Sequence, residues 1–329
     1  MAAKDLILQR LRENGGFVSG EELSGLLHVT RTSVWKNINM LREEGYEIDS
    51  STNRGYRLVS CPDVYLNDEI TAGLETEFLG KNSFCYESID STNEEAKRCA
   101  LKGAPNGSLF IAEQQTGGKG RLGRSWASPA GTGIWFSVLL RPGTLPLNAA
   151  AITLLAGYAV CSAIRAATDC KAMIKWPNDI VAGTKKLCGI LTEMSAEMER
   201  VEFVVIGIGI NANTVAFPEN LQEKATSICL ETGKKVRRVA LLQEVLRHLE
   251  KLLKENPISL TPAFLEKYKL VCVTLGRKVA FQRNGRQVTG TAEDVSPNGE
   301  LLVRLPDGKM EKVFSGEVSI QGFYGQNFE

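Results

Sequence analysis

Between about residues 64 and 270 the chain alternates helix-period segments with short apolar runs, and this alternation restricts the fold more than any other feature of the sequence. The runs SLFIAEQ, TGIWFSVLL, AMIKW, DIVAG, KLCGILTEM and EFVVIGIGI have the length and content of strands. Helical patterns lie among them at 93–101, 147–168 and 236–255. Helices alternating with strands bury their apolar faces against a sheet, so the centre is expected to be a mixed α and β domain. In the last helix Val239, Leu242, Val245, Leu246, Leu249, Leu252 and Leu253 form one stripe, too short for a coiled coil and suited to core packing. The uncharged, alanine-rich run 148–164 includes Gly157 and stops short of a membrane span, so it is read as a buried helix and no membrane association is expected.

The two ends follow other patterns. At the amino end Leu6, Ile7, Leu8 and Leu11 lie on a helix stopped by Gly15-Gly16. Ser19 and Glu22 form a capping box for a second helix, and Thr30 caps a third on which Val34, Ile38 and Leu41 share a face. Strands YEI and GYRLV follow, joined by DSSTNR, which completes the outline of a winged helix-turn-helix. A DNA-binding reading points to Arg31, Thr32, Ser33, Trp35, Lys36 and Asn39 on the third helix and Arg54 on the wing, with Arg57 beside it. Residues 1–62 carry eight Lys or Arg and eight Asp or Glu, so such binding requires basic groups segregated on one face, and a protein-contact or structural role stays open. Cys61-Pro62-Asp63 marks a linker. After Leu275 come short strands (RKVAF, QVTGTAEDV, LLVRLP, MEKVF, SGEVSI) with Asn284-Gly285 and Asp307-Gly308 as turn signals, the pattern of a small SH3-like β-barrel. The expected domains are therefore 1–62, 63–272 and 273–329.

Composition narrows the function classes. A net charge of +1 over 329 residues leaves no whole-chain footprint for nucleic acid. Eight cysteines without a CxxC pair, and only His28 and His248 beside them, argue against a zinc site. With no secretory signal at MAAKDLILQR, scattered thiols fit the cytoplasm.

The chemistry-bearing segment is GGKGRLGR (117–124), where glycines expose backbone N–H groups and Lys119, Arg121 and Arg124 supply positive charge. It is neither a P-loop nor a dinucleotide fingerprint, and by itself it suits a solvated basic loop as well as a phosphate site. ESIDSTNEEA (87–96), AEQQTGGKGR (112–121), KWPNDIV (175–181), KKLCGILTE (185–193) and GIGINAN (207–213) join it. Singly these have ordinary readings: Ser91, Thr92 and Asn93 as an N-cap cluster, KWPND as a turn, Gly207 and Gly209 as close strand packing. Trp126 suits packing against the loop or a nucleotide, or equally a buried structural indole.

Taken together, these segments and the two end domains resemble the biotin protein ligases over essentially the full length, in the bifunctional bacterial type that also represses the biotin operon. The resemblance implies an α/β multi-domain chain whose central α+β ligase domain holds a class II synthetase-like mixed sheet. It implies biotin, ATP and Mg²⁺ as ligands, a biotin carboxyl carrier protein and operator DNA of biotin genes as partners, and a ligand-promoted homodimer. It assigns biotin binding to Ser91, Thr92, Asn93, Gln115, Lys119, Gly120, Arg121 and Lys186, and nucleotide binding to Gly118, Arg124, Asn178 and Asn211. Lys186, Arg121 and Asp179 are the implied catalytic residues, Asp179 also as a Mg²⁺ ligand. Lys119 stands where arginine is common, keeping the charge and losing the planar fork. The family's loop implies mobility before ligand binding. A biotin-sensing transcription factor without catalysis and a lipoate ligase relative are the alternatives.

Overall fold

The computed structural model describes residues 3–141, 149–197, 200–257, 259–283, 285–314 and 318–324. Residues 147–148 of the second helical pattern, Asn284 of the first turn signal and 315–317 of SGEVSI lie outside the described residues. The chain divides into two units, Met1–Val64 and Tyr65–Glu329.

In the first unit α1 (Ala3–Asn14), α2 (Gly20–Leu27) and α3 (Arg31–Glu43) precede a hairpin of β1 (Glu47–Ser51) and β2 (Gly55–Ser60). The caps form as expected: Ser19 accepts from the Glu22 N–H and Thr30 from the Ser33 N–H, each satisfying an otherwise orphan helical donor. Val34, Ile38 and Leu41 are buried with Ile7, Leu8, Leu11, Val18 and Leu23 in one core. Arg42 ties α3 to the hairpin by donating to the Ile48 carbonyl at 2.6 Å.

The second unit contains α4 (Asn67–Thr71), β3 (Ser83–Ile89), α5 (Thr92–Leu101), β4 (Leu109–Gln115), β5 (Gly133–Leu140), α6 (Ala149–Ala167), β6 (Met173–Lys175), β7 (Asp179–Ala182), β8 (Lys185–Glu197) and β9 (Arg200–Asn211). Next come α7 (Ile228–Thr232), α8 (Arg238–Glu255) and α9 (Pro262–Val271). One sheet runs β3-β4-β5-β9-β8-β7-β6; β3 and β4 pair in parallel and the rest antiparallel. β3, α4, α7 and α9 were not separately anticipated.

Period-two alternation on these strands decides where the site can be. Val204, Ile206, Ile208 and Ile210 of β9 join the main core with α6 and α8, whereas Phe203 and Val205 join α5 through Ala96 and Ala100. On that second face the series continues through Gly207 and Gly209, which supply no side chain. Register then sets Ser137, Gly207 and Leu191 in one row across β5, β9 and β8, and Trp135, Gly209 and Gly189 in the next. The sheet thus carries a bare strip beside the N-terminus of α5.

Helix α6 is long and apolar enough to cross a membrane by composition, yet two-thirds of it (67%) is buried in the unit's interior. At the carboxyl end β10 (Lys278–Arg283), β11 (Arg286–Val295), β12 (Leu301–Arg304), β13 (Met310–Val313) and β14 (Ser319–Ile320) form a sheet ordered β13-β12-β11-β10-β14, antiparallel throughout. Its apolar residues Val279, Phe281, Ala292 and Val303 belong to the same buried cluster as α6 and α8. The Trp176 indole, fully buried, donates to the Gly299 carbonyl at 3.0 Å and fastens this sheet to the central one.

Candidate functional site

The bare strip is the floor of a cavity of about 50 Å³, which adjoins a larger one of about 1000 Å³. Ser91, Thr92, Asn93, Gln115, Lys119, Gly120, Arg121, Asn178 and Lys186 line the smaller. Arg124, Asp179 and Asn211 line the larger, and Gln115, Gly120, Arg121, Asn178 and Lys186 border both. Five segments that lie far apart in the chain are therefore assembled around one junction. Gly118 lines neither cavity: a Cβ there would lie 2.4 Å from the Trp126 carbonyl, so its bareness lets the loop fold back on itself.

At one end of the floor is a closed polar network. Thr92 N–H and hydroxyl donate to Gln115 Oε1 at 2.9 and 3.1 Å, and Gln115 Nε2 donates to Ser128 Oγ at 2.8 Å. Asn93 Oδ1 accepts from Ser137 at 2.5 Å while Asn93 Nδ2 donates to Glu193 at 2.8 Å. Lys97 closes the far side on Glu193 at 2.6 Å. Burial lowers the Lys97 pKa, but Glu193 and Glu94 outweigh it and the net direction is upward. Buried polar groups that are fully paired hold a fixed pattern of donors and acceptors, which a ring with polar edges requires. Ser137 and Glu193 had no assigned role from sequence; the signal was a serine inside the apolar run GIWFSVLL and a carboxylate ending KLCGILTE.

The loop 117–124 closes as a small hairpin, with Gly120 N–H on the Arg124 carbonyl at 2.7 Å. Leu122, at its tip, is 77% exposed with φ 56°, a conformation L-residues seldom adopt. Lys119 pairs with Glu94 at 2.8 Å and Arg121 donates to Asn178 Oδ1 at 2.9 Å. The Lys119 hydrogen bond is the main cause holding the Glu94 carboxyl below its ordinary range. Trp126 lies against the glycine strip; a Cβ at Gly209 would meet its Nε1 at 2.4 Å, and one at Gly189 its ring at 3.1 Å. Lys186 Nζ sits 5.3 Å from the same ring. Trp126 is therefore a loop contact whose indole is half-buried.

Asp179 is 8% exposed at the start of β7, with Oδ1 2.6 Å from Lys186 Nζ and Oδ2 accepting from Tyr324 at 2.9 Å. Burial raises its pKa, but the Lys186 and Lys175 charges and the hydrogen bonds from Lys186 and Tyr324 outweigh that, and the net direction is downward. Mg²⁺ is commonly held by one or two carboxylates together with substrate phosphates rather than by an all-protein cage. Among the described residues no group of three or more His, Cys, Asp or Glu could hold a metal. Asp179 thus presents its oxygens to a cation and a hydroxyl at the edge of the larger cavity. Asn178 is pinned by Nδ2 to the Ile190 carbonyl at 2.9 Å, and Asn211 by Nδ2 to the Thr226 carbonyl at 3.0 Å. Lys185 donates to the Gln222 carbonyl and borders neither cavity. Burial pushes the Cys161 thiol up to about 12 and the Cys85 thiol to about 11, so neither is a nucleophile near neutral pH.

In the first unit Arg31, Thr32, Trp35 and Lys36 are exposed on α3, Ser33 and Asn39 are half-buried, and Arg54 is exposed at the hairpin turn. Arg54 stacks on Phe17 at 4.3 Å, Arg31 pairs with Glu21 at 2.8 Å, and Asn39 Oδ1 accepts from Arg42 at 3.2 Å.

Comparison with known proteins places each part. Residues 4–57 match the HTH domain, 85–211 the Biotin/lipoate A/B protein ligase family and 274–320 the Biotin protein ligase C terminal domain. The chain is 38% identical to the bifunctional ligase/repressor BirA of Bacillus spizizenii, covering 96% of this chain and 98% of that one. The bifunctional ligase/repressor BirA of Bacillus subtilis is 37% identical over the same shares, 96% and 98%. The solved biotin protein ligase of Aquifex aeolicus in complex with biotin and ATP superposes with a TM-score of 0.64 at 32% identity, over 73% of this chain and 99% of that one.

Proposed function

The chain belongs to the biotin protein ligase family, and from that premise we propose that it joins biotin to a lysine of a biotin carboxyl carrier protein at the cost of ATP and, with the adenylate bound, represses biotin genes. The observation that carries the reading is the convergence of Lys186, Arg121, Asn178 and Asp179 at the junction of a polar-floored slot with a cavity large enough for a nucleotide. The Ser91–Thr92–Asn93, Gln115 and Ser137 network recognises the ureido ring by fixed donors and acceptors, because each polar edge left unpaired costs about 1–3 kcal/mol. The carboxylate then lies towards Lys186.

A biotin carboxylate oxygen attacks the α-phosphorus of ATP, the bond to the β-phosphate oxygen breaks, and pyrophosphate leaves. The amine of the carrier lysine next attacks the mixed anhydride carbonyl, loses a proton and releases AMP. Lys186 and Arg121 offset the repulsion between carboxylate and phosphate and stabilise charge as it develops. Lys119 and Arg124 add positive charge to the closing loop, and Gly120 lets the backbone approach. Asn211 holds the segment carrying Thr226 under the nucleotide. Mg²⁺ arrives on ATP as part of the substrate. Positioning supplies most of the acceleration, so no enzyme nucleophile is needed.

Arg31, Thr32, Ser33, Trp35, Lys36 and Asn39, with Arg54, form the face offered to operator DNA, and the adenylate promotes a homodimer that matches a two-fold site. We place the protein in the cytoplasm, divide it at 1–62, 63–272 and 273–329, and take the central sheet as class II synthetase-like and the last as an SH3-like barrel. Biotin-dependent exchange of pyrophosphate into ATP tests the ligase: folded, biotin-binding protein without exchange would overturn it. A salt-sensitive mobility shift on biotin operon DNA, requiring biotin and ATP, tests the repressor.

A further inference from the structure

Tyr324 comes from the far end of the chain, 145 residues from Asp179, yet its hydroxyl donates to Asp179 Oδ2 at 2.9 Å. Its ring lies 5.0 Å from Lys175 Nζ, and its N–H donates to the Thr184 carbonyl at 3.3 Å. Lys175, itself 6% exposed, donates to the Val318 carbonyl at 2.9 Å, so the segment that delivers Tyr324 also accepts this lysine. Tyr324 has φ 54°, in the left-handed region that non-glycine residues avoid unless surrounding contacts hold them there. The side chain also lines the larger cavity beside Lys186.

A carboxylate bonded through one oxygen can still turn about its own axis. With Oδ2 held by the hydroxyl, the plane of the Asp179 carboxylate is set and Oδ1 faces Lys186 Nζ at 2.6 Å. Lys186 has a long flexible stem and is partly exposed, so a fixed anion beside it restricts where its charge points.

We propose that Tyr324 is a positioning residue for the adenylation step, its hydroxyl orienting the Asp179 carboxylate so that Lys186 is aimed at the junction where the biotin carboxylate meets ATP. The inference rests on the ligase reading above. It assigns the carboxyl-terminal segment a part in the chemistry beyond covering the core. A merely structural anchor would lower stability and leave turnover of the folded protein unchanged, whereas a positioning residue lowers kcat and acts through Asp179.

The experiment uses the full chain and its Tyr324→Phe, Asp179→Asn and doubly substituted variants, with folding checked by circular dichroism. Pyrophosphate exchange is measured against biotin and ATP concentration. Tyr324→Phe, which keeps the ring on Lys175 and removes only the hydroxyl, is expected to lower kcat about tenfold, the scale of one hydrogen bond to a charged group, with KM for ATP changed less than twofold. In the Asp179→Asn background the same change is expected to cost less than twofold. The cycle is repeated on affinity for a non-reactive biotinyl-adenylate analogue, which stays readable if Asp179→Asn is too slow to turn over. Unchanged kcat in Tyr324→Phe, or an equal loss in both backgrounds, would overturn the proposal. Absence of exchange in the unsubstituted chain would instead remove the ligase reading and this proposal with it, a result distinct from an active parent with an indifferent Tyr324→Phe.

Discussion

Gly207→Ala puts the greatest demand on the bare strip. A Cβ at Gly207 would lie 2.1 Å from Asn93 Oδ1, 2.8 Å from its Cγ and 2.9 Å from its Nδ2. Gly207 does not have a positive φ, so alanine suits the backbone and the whole penalty is steric. Asn93 is 4% exposed and cannot retreat without giving up Ser137 at 2.5 Å and Glu193 at 2.8 Å. Overpacking costs about 1–3 kcal/mol and a lost hydrogen bond to a carboxylate about 1.5–3, so with partial relaxation the substitution should destabilise the second unit by about 3 kcal/mol. Urea denaturation followed by tryptophan fluorescence reads this unit, since Trp126, Trp135 and Trp176 lie within Tyr65–Glu329. Biotin affinity by calorimetry should fall at least about tenfold, because the displaced amide disrupts the floor. Removing the obstruction with Asn93→Ala should reduce the added cost of Gly207→Ala to under about 1 kcal/mol, a coupling of about 2 kcal/mol. Stability within about 0.5 kcal/mol of the parent, together with unchanged biotin affinity, would refute the steric argument.

Asp179→Asn should reduce stability by about 2 kcal/mol at neutral pH, less than for a wholly buried pair because Lys186 is 28% exposed. The native Asp179 pKa is lowered, so its contribution is complete above the ordinary value of 3.8 and is lost as pH falls through the lower native value. The gap between parent and variant in denaturation should therefore be level from pH 7 to pH 5 and shrink only in stronger acid; a gap that widens on acidification contradicts the assignment. Arg121→Ala should slow exchange about 100-fold and Lys119→Ala no more than about tenfold, since the Lys119 charge is 53% exposed and screened; equal losses would reverse that ranking. Trp126 rests on Gly189 and Gly209, so biotin entering the slot must move it. Biotin should change the protein's fluorescence and Trp126→Phe should abolish the change, whereas persistence of the signal places the reporter elsewhere.

Much of the site was legible because its parts are local. The Ser19 and Thr30 caps, the apolar strands and the Gly207–Gly209 repeat depend on spacing within a few residues, and these segments formed as read. Gly118 was assigned to nucleotide on pattern, yet its bareness serves the carbonyl of Trp126 eight residues on. Asp179 was matched to a metal through the family resemblance alone, and nothing in KWPND shows that two cations and a distant hydroxyl surround it. Ser137 and Glu193 stand out as polar residues in strand runs, but their common partner is Asn93, 44 and 100 residues away.

By itself the sequence determined the three-part order of the chain, six of the seven strands of the central sheet, the glycine positions and the cations of the loop, because helix and strand periods and turn chemistry are properties of neighbouring residues. Tertiary structure alone decided that the bare strip faces the N-terminus of α5, that Trp126 lies upon it, and that Tyr324 reaches Asp179. Those relations depend on strand register and on which face the alternation turns outward, where one residue of slip sends every side chain to the other side.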